Sequence, residues 1–156
     1  VEAGCVEVLI GLESATSEAL FEIDRTGWKS KRFDRARDNV RLIQSYGIRV
    51  NGCFIVGLDA HTDRVFEDVF DFVRDTRLFD VQITMPTPFP GTPMYRDYAA
   101  GGRLTHPTDW QRYTLYDLNF RPARMSEAQL VDGFHDLSKR LYSDEFTRWR
   151  RAPWSL

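Results

Sequence analysis

Cysteine is scarce in this chain: Cys5 and Cys53 are the only two among 156 residues, far apart, one of them inside a strand pattern. Two such thiols make no disulfide framework and fit buried thiols in a reducing compartment. No apolar run approaches the roughly 20 residues of a membrane span. Val1-Glu2-Ala3-Gly4 carries no basic leader, so the expected compartment is cytoplasmic. Excess charge of one sign is missing too. With 21 basic and 23 acidic residues, a formal charge of −2 and no like-charge block, neither a nucleic-acid footprint nor an anionic-membrane patch is expected. The expected partners are small molecules or proteins. A phosphate-binding glycine loop, a serine elbow and a cysteine triplet are also absent, which leaves no self-contained catalytic set. The chain starts without methionine, a few residues before a strand pattern, and reads as a piece excised from something longer.

What is present is a doubled pattern, Leu9-Ile10-Gly11-Leu12-Glu13-Ser14-Ala15-Thr16 and Ile55-Val56-Gly57-Leu58-Asp59-Ala60-His61-Thr62. Each copy reads as a strand ending in glycine, a carboxylate and a threonine. Parallel α/β proteins build ligand sites from such strand-to-helix turns, because strand ends converge there and the next helix offers free N–H groups. Val6 to Leu12, Ile48 to Leu58 and Val81 to Pro86 are apolar runs of strand length, and their continuous apolarity predicts cover on both faces. Helices are expected over Thr16 to Arg25 and Phe33 to Tyr46, and again where Val65, Val69, Phe72 and Val73 share a face. That order gives a parallel βαβαβ unit with right-handed crossovers.

Beyond it, four prolines between Pro86 and Pro93 predict a stiff surface loop, followed by a short helix from Met94 to Ala100. The aromatic stretch Trp110 to Phe120 reads as a lid packed on a core. Ser126-Glu127-Ala128-Gln129 is a capping box, and Leu130, Phe134, Leu137 and Leu141 form the apolar stripe of the helix it opens.

Glu13 emerges just past Gly11, and a carboxylate there can accept two hydroxyl hydrogen bonds, as in holding a ribose diol. It could equally cap the helix or pair with Arg25 or a lysine of the turn at 27–30. Arg25 could clamp a carboxylate with both arms of its guanidinium. Asp59 and His61 read as turn residues, His61 as a solvated loop histidine, because no further ligand stands at metal-site spacing. The residues alone leave open an acid–base site of another α/β-barrel enzyme, built from Glu13, Asp59 and His61, and also a non-catalytic binding module.

Five stretches in this order carry a family resemblance. They are Gly4-Cys5 with Val8 to Ser14; Gly47 to Gly52; Phe54 to Leu58; Pro88-Phe89-Pro90-Gly91-Thr92-Pro93-Met94-Tyr95; and Arg121-Pro122 with Met125-Ser126. The chain resembles the C-terminal half of a radical S-adenosylmethionine barrel, in the class often fused to an N-terminal cobalamin-binding domain. The resemblance implies a partial (β/α) TIM-type barrel over residues 1–93, with a loop-rich helical extension packed on it over 94–156. It implies that Glu13 meets the ribose of S-adenosylmethionine with Ser14 beside it among the cofactor-binding residues, that Arg25 binds its methionyl carboxylate, and that Ile55 to Gly57 lie near its adenine. The family's CxxxCxxC loop, which binds a 4Fe–4S cluster, is not in this chain, so the cluster's ligands lie outside it and the chain alone is expected to be inactive. The implied reaction of the longer oxidoreductase or methyltransferase is reductive cleavage to a 5′-deoxyadenosyl radical, with methyl transfer if cobalamin is bound. The implied partners are a small-molecule substrate and the missing N-terminal half of the barrel. Open sheet edges also predict a homodimer of the fragment or marginal stability. One departure stands out: where members continue with proline, glycine, glutamate and threonine, this chain has Asp59-Ala60-His61-Thr62.

Overall fold

A computed structural model of the chain describes residues 3–24 and 26–154. Three strands, β1 (Glu7–Glu13), β2 (Arg49–Ile55) and β3 (Asp80–Thr84), pair in parallel in the order β1-β2-β3. Parallel neighbours need crossover connections, and helices supply them. Between β1 and β2 lie α1 (Ser17–Ile23), a 3₁₀ segment (Ser30–Arg35) and α2 (Ala36–Ser45); α3 (Val65–Thr76) joins β2 to β3. The chain is therefore an α/β protein with a βαβαβ core. After β3 follow α4 (Pro93–Ala100), α5 (Glu127–Leu141) and α6 (Asp144–Arg151).

Local polar chemistry sets the helix bounds. α1 stops at Ile23, because the Asp24 carboxylate accepts the backbone N–H groups of Thr26 and Lys29 and turns the chain away. Thr16 holds the N-cap position of α1 without making a capping bond. α5 opens on the expected capping box, with Ser126 Oγ accepting from Gln129 N–H and Gln129 Oε1 accepting from Ser126 N–H. Its stripe of Leu130, Phe134, Leu137 and Leu141 is buried. Each such side chain contributes roughly 1.5–3 kcal/mol by leaving water.

The sheet has one covered and one open face, which corrects the expectation of cover on both. Val50, Phe54, Val81 and Ile83 are buried in one core with residues of α3 and α5, and Phe54 meets Phe72 edge-on at 5.3 Å between centroids. The opposite side chains are Leu9, Asn51, Cys53 and Gln82, and Leu9 is 65% exposed. Leu9, Cys53 and Ile55 made the runs look continuous, yet none of the described residues covers them as Val50 and Phe54 are covered. The same open face corrects the expectation of buried thiols. Cys53 is half-buried there, and Cys5, ahead of β1, is exposed.

The aromatic stretch is a lid only at its end. Phe120 is fully buried against Tyr98, with centroids 5.2 Å apart, whereas Trp110 and Tyr116 are exposed. The proline loop likewise starts buried, at Pro86 and Pro88, before it reaches the surface.

Candidate functional site

β1 does not end as a plain strand. Gly11 pairs with Cys53 but Glu13 pairs with Phe54, so β1 carries one extra residue there, a bulge of the kind that re-aims a side chain. Glu13 takes a left-handed φ of 67°, and the Ser14 N–H donates across it to the Leu12 carbonyl at 2.8 Å, closing a three-residue turn. Such a backbone costs a glutamate on the order of 1–3 kcal/mol. The turn folds the Glu13 carboxylate back over Gly11, into the space a Cβ would take.

Lys29 holds the carboxylate there. Its ammonium donates to Glu13 Oε1 at 2.8 Å and to the Gly11 carbonyl at 3.2 Å. The Glu13 side chain keeps 24% exposure, so it is positioned yet reachable from the open face. Cys53, the neighbour across the sheet, stays a thiol: burial first and the Glu13 charge second push its pKa up.

The turn after β2 is tied to the turn after β1. His61 is 2% exposed, and its Nδ1 accepts the N–H groups of Gly57 at 3.2 Å and Leu58 at 3.1 Å. Its Nε2 lies 2.9 Å from the hydroxyl of Ser14, itself buried, and that hydroxyl also accepts from Thr16 N–H at 3.0 Å. The expectation of a solvated loop histidine is thus corrected. Desolvation pushes its pKa down to about 4, so the ring is neutral at pH 7. The clue lay in the doubled pattern: His61 occupies the register of Ala15, which is also buried.

Gly57 stands at φ 102°, and a Cβ there would run into Leu130 of α5, so both backbone and packing require glycine. With its N–H taken by His61, what Gly57 can offer a ligand is its carbonyl and bare Cα. Ile55 ends β2 half-buried and lines a cleft beyond β2 and β3. Arg25 lies outside the described residues.

Asp59 is bound on the other side of the turn. The Arg103 guanidinium grips its carboxylate with both arms, at 2.7 and 2.5 Å, while both Glu22 oxygens accept the Asp59 and Ala60 N–H groups. Burial and the Asp59 charge push the nearby Tyr98 phenol up to about 12. Glu13, Asp59 and His61 therefore do not form an acid–base set: each is already engaged by another group of the protein. Glu22 and Arg103 were not legible as turn partners, since both reach it from distant parts of the chain.

No protein-family model matches the chain. Curated proteins do. It is 26% identical over 140 residues to a bacteriochlorophyllide d C-12(1)-methyltransferase of Chlorobaculum tepidum, covering 90% of this chain and 29% of that protein. It is 33% identical over 108 residues to a hopanoid C-2 methylase of Rhodopseudomonas palustris, covering 69% and 19%. It is 24% identical over 141 residues to an anaerobic magnesium-protoporphyrin IX monomethyl ester cyclase of Cereibacter sphaeroides, covering 90% and 22%. This chain belongs to the radical S-adenosylmethionine enzymes. It spans between 19 and 29% of the length of these relatives.

For a radical S-adenosylmethionine protein the residues fit one cofactor and not the other. A half-exposed carboxylate at a strand end, steadied by an ammonium, suits a ribose diol, which needs two acceptor oxygens. A 4Fe–4S cluster needs three thiolates beside its open iron. Cys5 precedes β1 and Cys53 sits mid-strand, and among the described residues no group of three His, Cys, Asp or Glu could hold a metal. Among those residues no helix is long and apolar enough to cross a membrane.

Proposed function

We propose that this chain is the C-terminal part of a radical S-adenosylmethionine barrel and works within a longer oxidoreductase or methyltransferase. The observation that carries this reading is the left-handed Glu13 at the end of β1, strained, paired with Lys29 and reachable from an uncovered sheet face. Strain at a strand end persists where a ligand site uses it. In this reading residues 1–93 are half of the barrel and 94–156 its helical extension. The open face and the free edge of β1 take the N-terminal half, which brings the cluster ligands.

When bound, S-adenosylmethionine supplies a carbon-centred radical equivalent after one-electron reduction. This chain's own residues bind and orient. Glu13 accepts the ribose hydroxyls, Lys29 fixes the carboxylate, and the Ser14–His61 bond keeps that turn in register with Gly57 beside the adenine. The methyltransferase and methylase names of the relatives favour methyl transfer as the outcome, and the family resemblance adds cobalamin, where the longer protein binds it, as the carrier. The cytoplasm is the proposed compartment.

The test is anaerobic reconstitution of the full-length protein with iron, sulfide and reductant, followed by chromatography for 5′-deoxyadenosine. Formation of that product, and its loss in Glu13→Gln, supports the reading. A fully reconstituted protein that yields none would overturn it.

A further inference from the structure

The cleft beyond β2 and β3 offers no free cation among the described residues. Arg103, the cation among the described residues that line it, has its fork closed on Asp59 and on the Arg121 carbonyl, at 3.0 and 2.8 Å, and lies 4.2 Å over the Tyr98 ring. Glu22, on another wall, spends both oxygens on backbone N–H groups. The Thr87 hydroxyl donates to the Thr114 carbonyl at 2.6 Å. Asp97, which also lines the cleft, keeps an exposed carboxylate that further repels an anion.

The capacity left inside is apolar. Ile23, Phe89 and Leu115 are 40, 41 and 43% exposed, and all three line this one concavity. Large exposed apolar side chains are ordinary when scattered; gathered around a hollow they mark a binding site. The hollow, about 640 Å³, is of the size that holds small molecules. It opens at the C-terminal ends of β2 and β3, the side where parallel sheets take ligands.

We infer that this cleft takes an uncharged, apolar ring system, the body of the substrate, and disfavours ligands that bring a carboxylate, phosphate or sulfonate into it. An anion would have to break the Asp59–Arg103 pair to find a donor, and would otherwise be buried unpaired. The inference rests on the reading of these strand ends as the reaction side.

The probe pair is N-phenyl-1-naphthylamine, which is uncharged, and 8-anilinonaphthalene-1-sulfonate, the same ring set with a sulfonate added. Fluorescence titration of the full chain is expected to show saturable binding of the uncharged dye, roughly tenfold tighter than the sulfonate, a difference of about 1.4 kcal/mol. Leu115→Asp and Phe89→Asp, both at half-exposed positions, are expected to weaken the uncharged dye by roughly fivefold or more, because each puts a carboxylate against it. Leu9→Asp, on the open sheet face, should leave it unchanged. Asp59→Asn releases the Arg103 fork and should tighten the sulfonate; if that variant does not fold, the Leu115 and Phe89 variants decide. Equal or tighter sulfonate binding by the unaltered chain overturns the inference. So does loss of the dye with Leu9→Asp in place of Leu115→Asp, which would put it on the sheet face. The titration needs neither cluster nor S-adenosylmethionine. A failure here with 5′-deoxyadenosine still formed leaves the family reaction standing, and the reverse result leaves the cleft.

Discussion

His61 Nε2 stands 2.9 Å from Ser14 Oγ, 47 residues earlier in the chain, and this buried bond joins the ends of β1 and β2. Because Nδ1 accepts from two backbone N–H groups, the neutral ring carries its one proton on Nε2 and donates it to Ser14. A second proton, on Nδ1, would face the Gly57 and Leu58 N–H groups and break both bonds.

That arrangement makes stability depend on pH with a defined sign. The folded pKa is about 4 against an ordinary 6.5, so between those values the unfolded chain binds a proton that the folded chain refuses. The His61 contribution is complete above pH 6.5 and is lost as pH falls toward 4. The whole effect is on the order of 3 kcal/mol. Urea unfolding from pH 7.5 to 4 should show this slope, and His61→Gln should flatten it; an unchanged slope in the variant would place the titration elsewhere.

Glu13 is expected to separate stability from function. Glu13→Gly relieves a left-handed backbone worth about 1–2 kcal/mol and gives up a part-buried ion pair worth about 1 kcal/mol. The variant should melt at or above the parent temperature, while calorimetry on the full-length protein finds S-adenosylmethionine binding weakened. A drop in both would mean that Glu13 is held for folding alone.

Gly57→Ala should be costly in the opposite way. The added methyl meets Leu130 and must sit at φ 102°, for a loss on the order of 3 kcal/mol from strain and overpacking together. Denaturant midpoints would register it, and a change under about 1 kcal/mol would show that α5 yields easily.

Arg150 is 1% exposed and has backbone carbonyls in place of a carboxylate: its guanidinium donates to Leu78 at 3.0 Å, Phe79 at 2.9 Å and Leu141 at 3.2 Å. It pins α6 to the loop before β3 and to the end of α5. Arg150→Met strips those carbonyls of donors and should cost about 3 kcal/mol in urea unfolding. Arg150→Lys should recover less than half, since an ammonium cannot fork across three acceptors. Near-complete rescue by lysine would make charge, not geometry, the operative feature.

Local patterns were sufficient for the elements up to α5, but not for α6. The stripes of α3 and α5, the capping box at Ser126 and the three strand runs follow from contacts a few residues apart, so the chain states them directly. The doubled strand end and the family resemblance also located Glu13, Ser14, Ile55 and Gly57 near the same end of the sheet. Cover on both faces was misread, because an apolar residue on a strand does not say what, if anything, packs against it.

By itself, the sequence determined the order of strands and helices as far as α5, and the family to which the chain belongs. These depend on spacing, side-chain size and local hydrogen bonds. Tertiary structure alone decided that His61 is buried and locked to Ser14, that Asp59 belongs to Arg103, that Lys29 reaches Glu13, and that one sheet face stands open among the described residues. Each of those outcomes joins groups brought near only when parallel strands align, and burial, which sets a histidine's charge and a carboxylate's partner, is a property of that alignment.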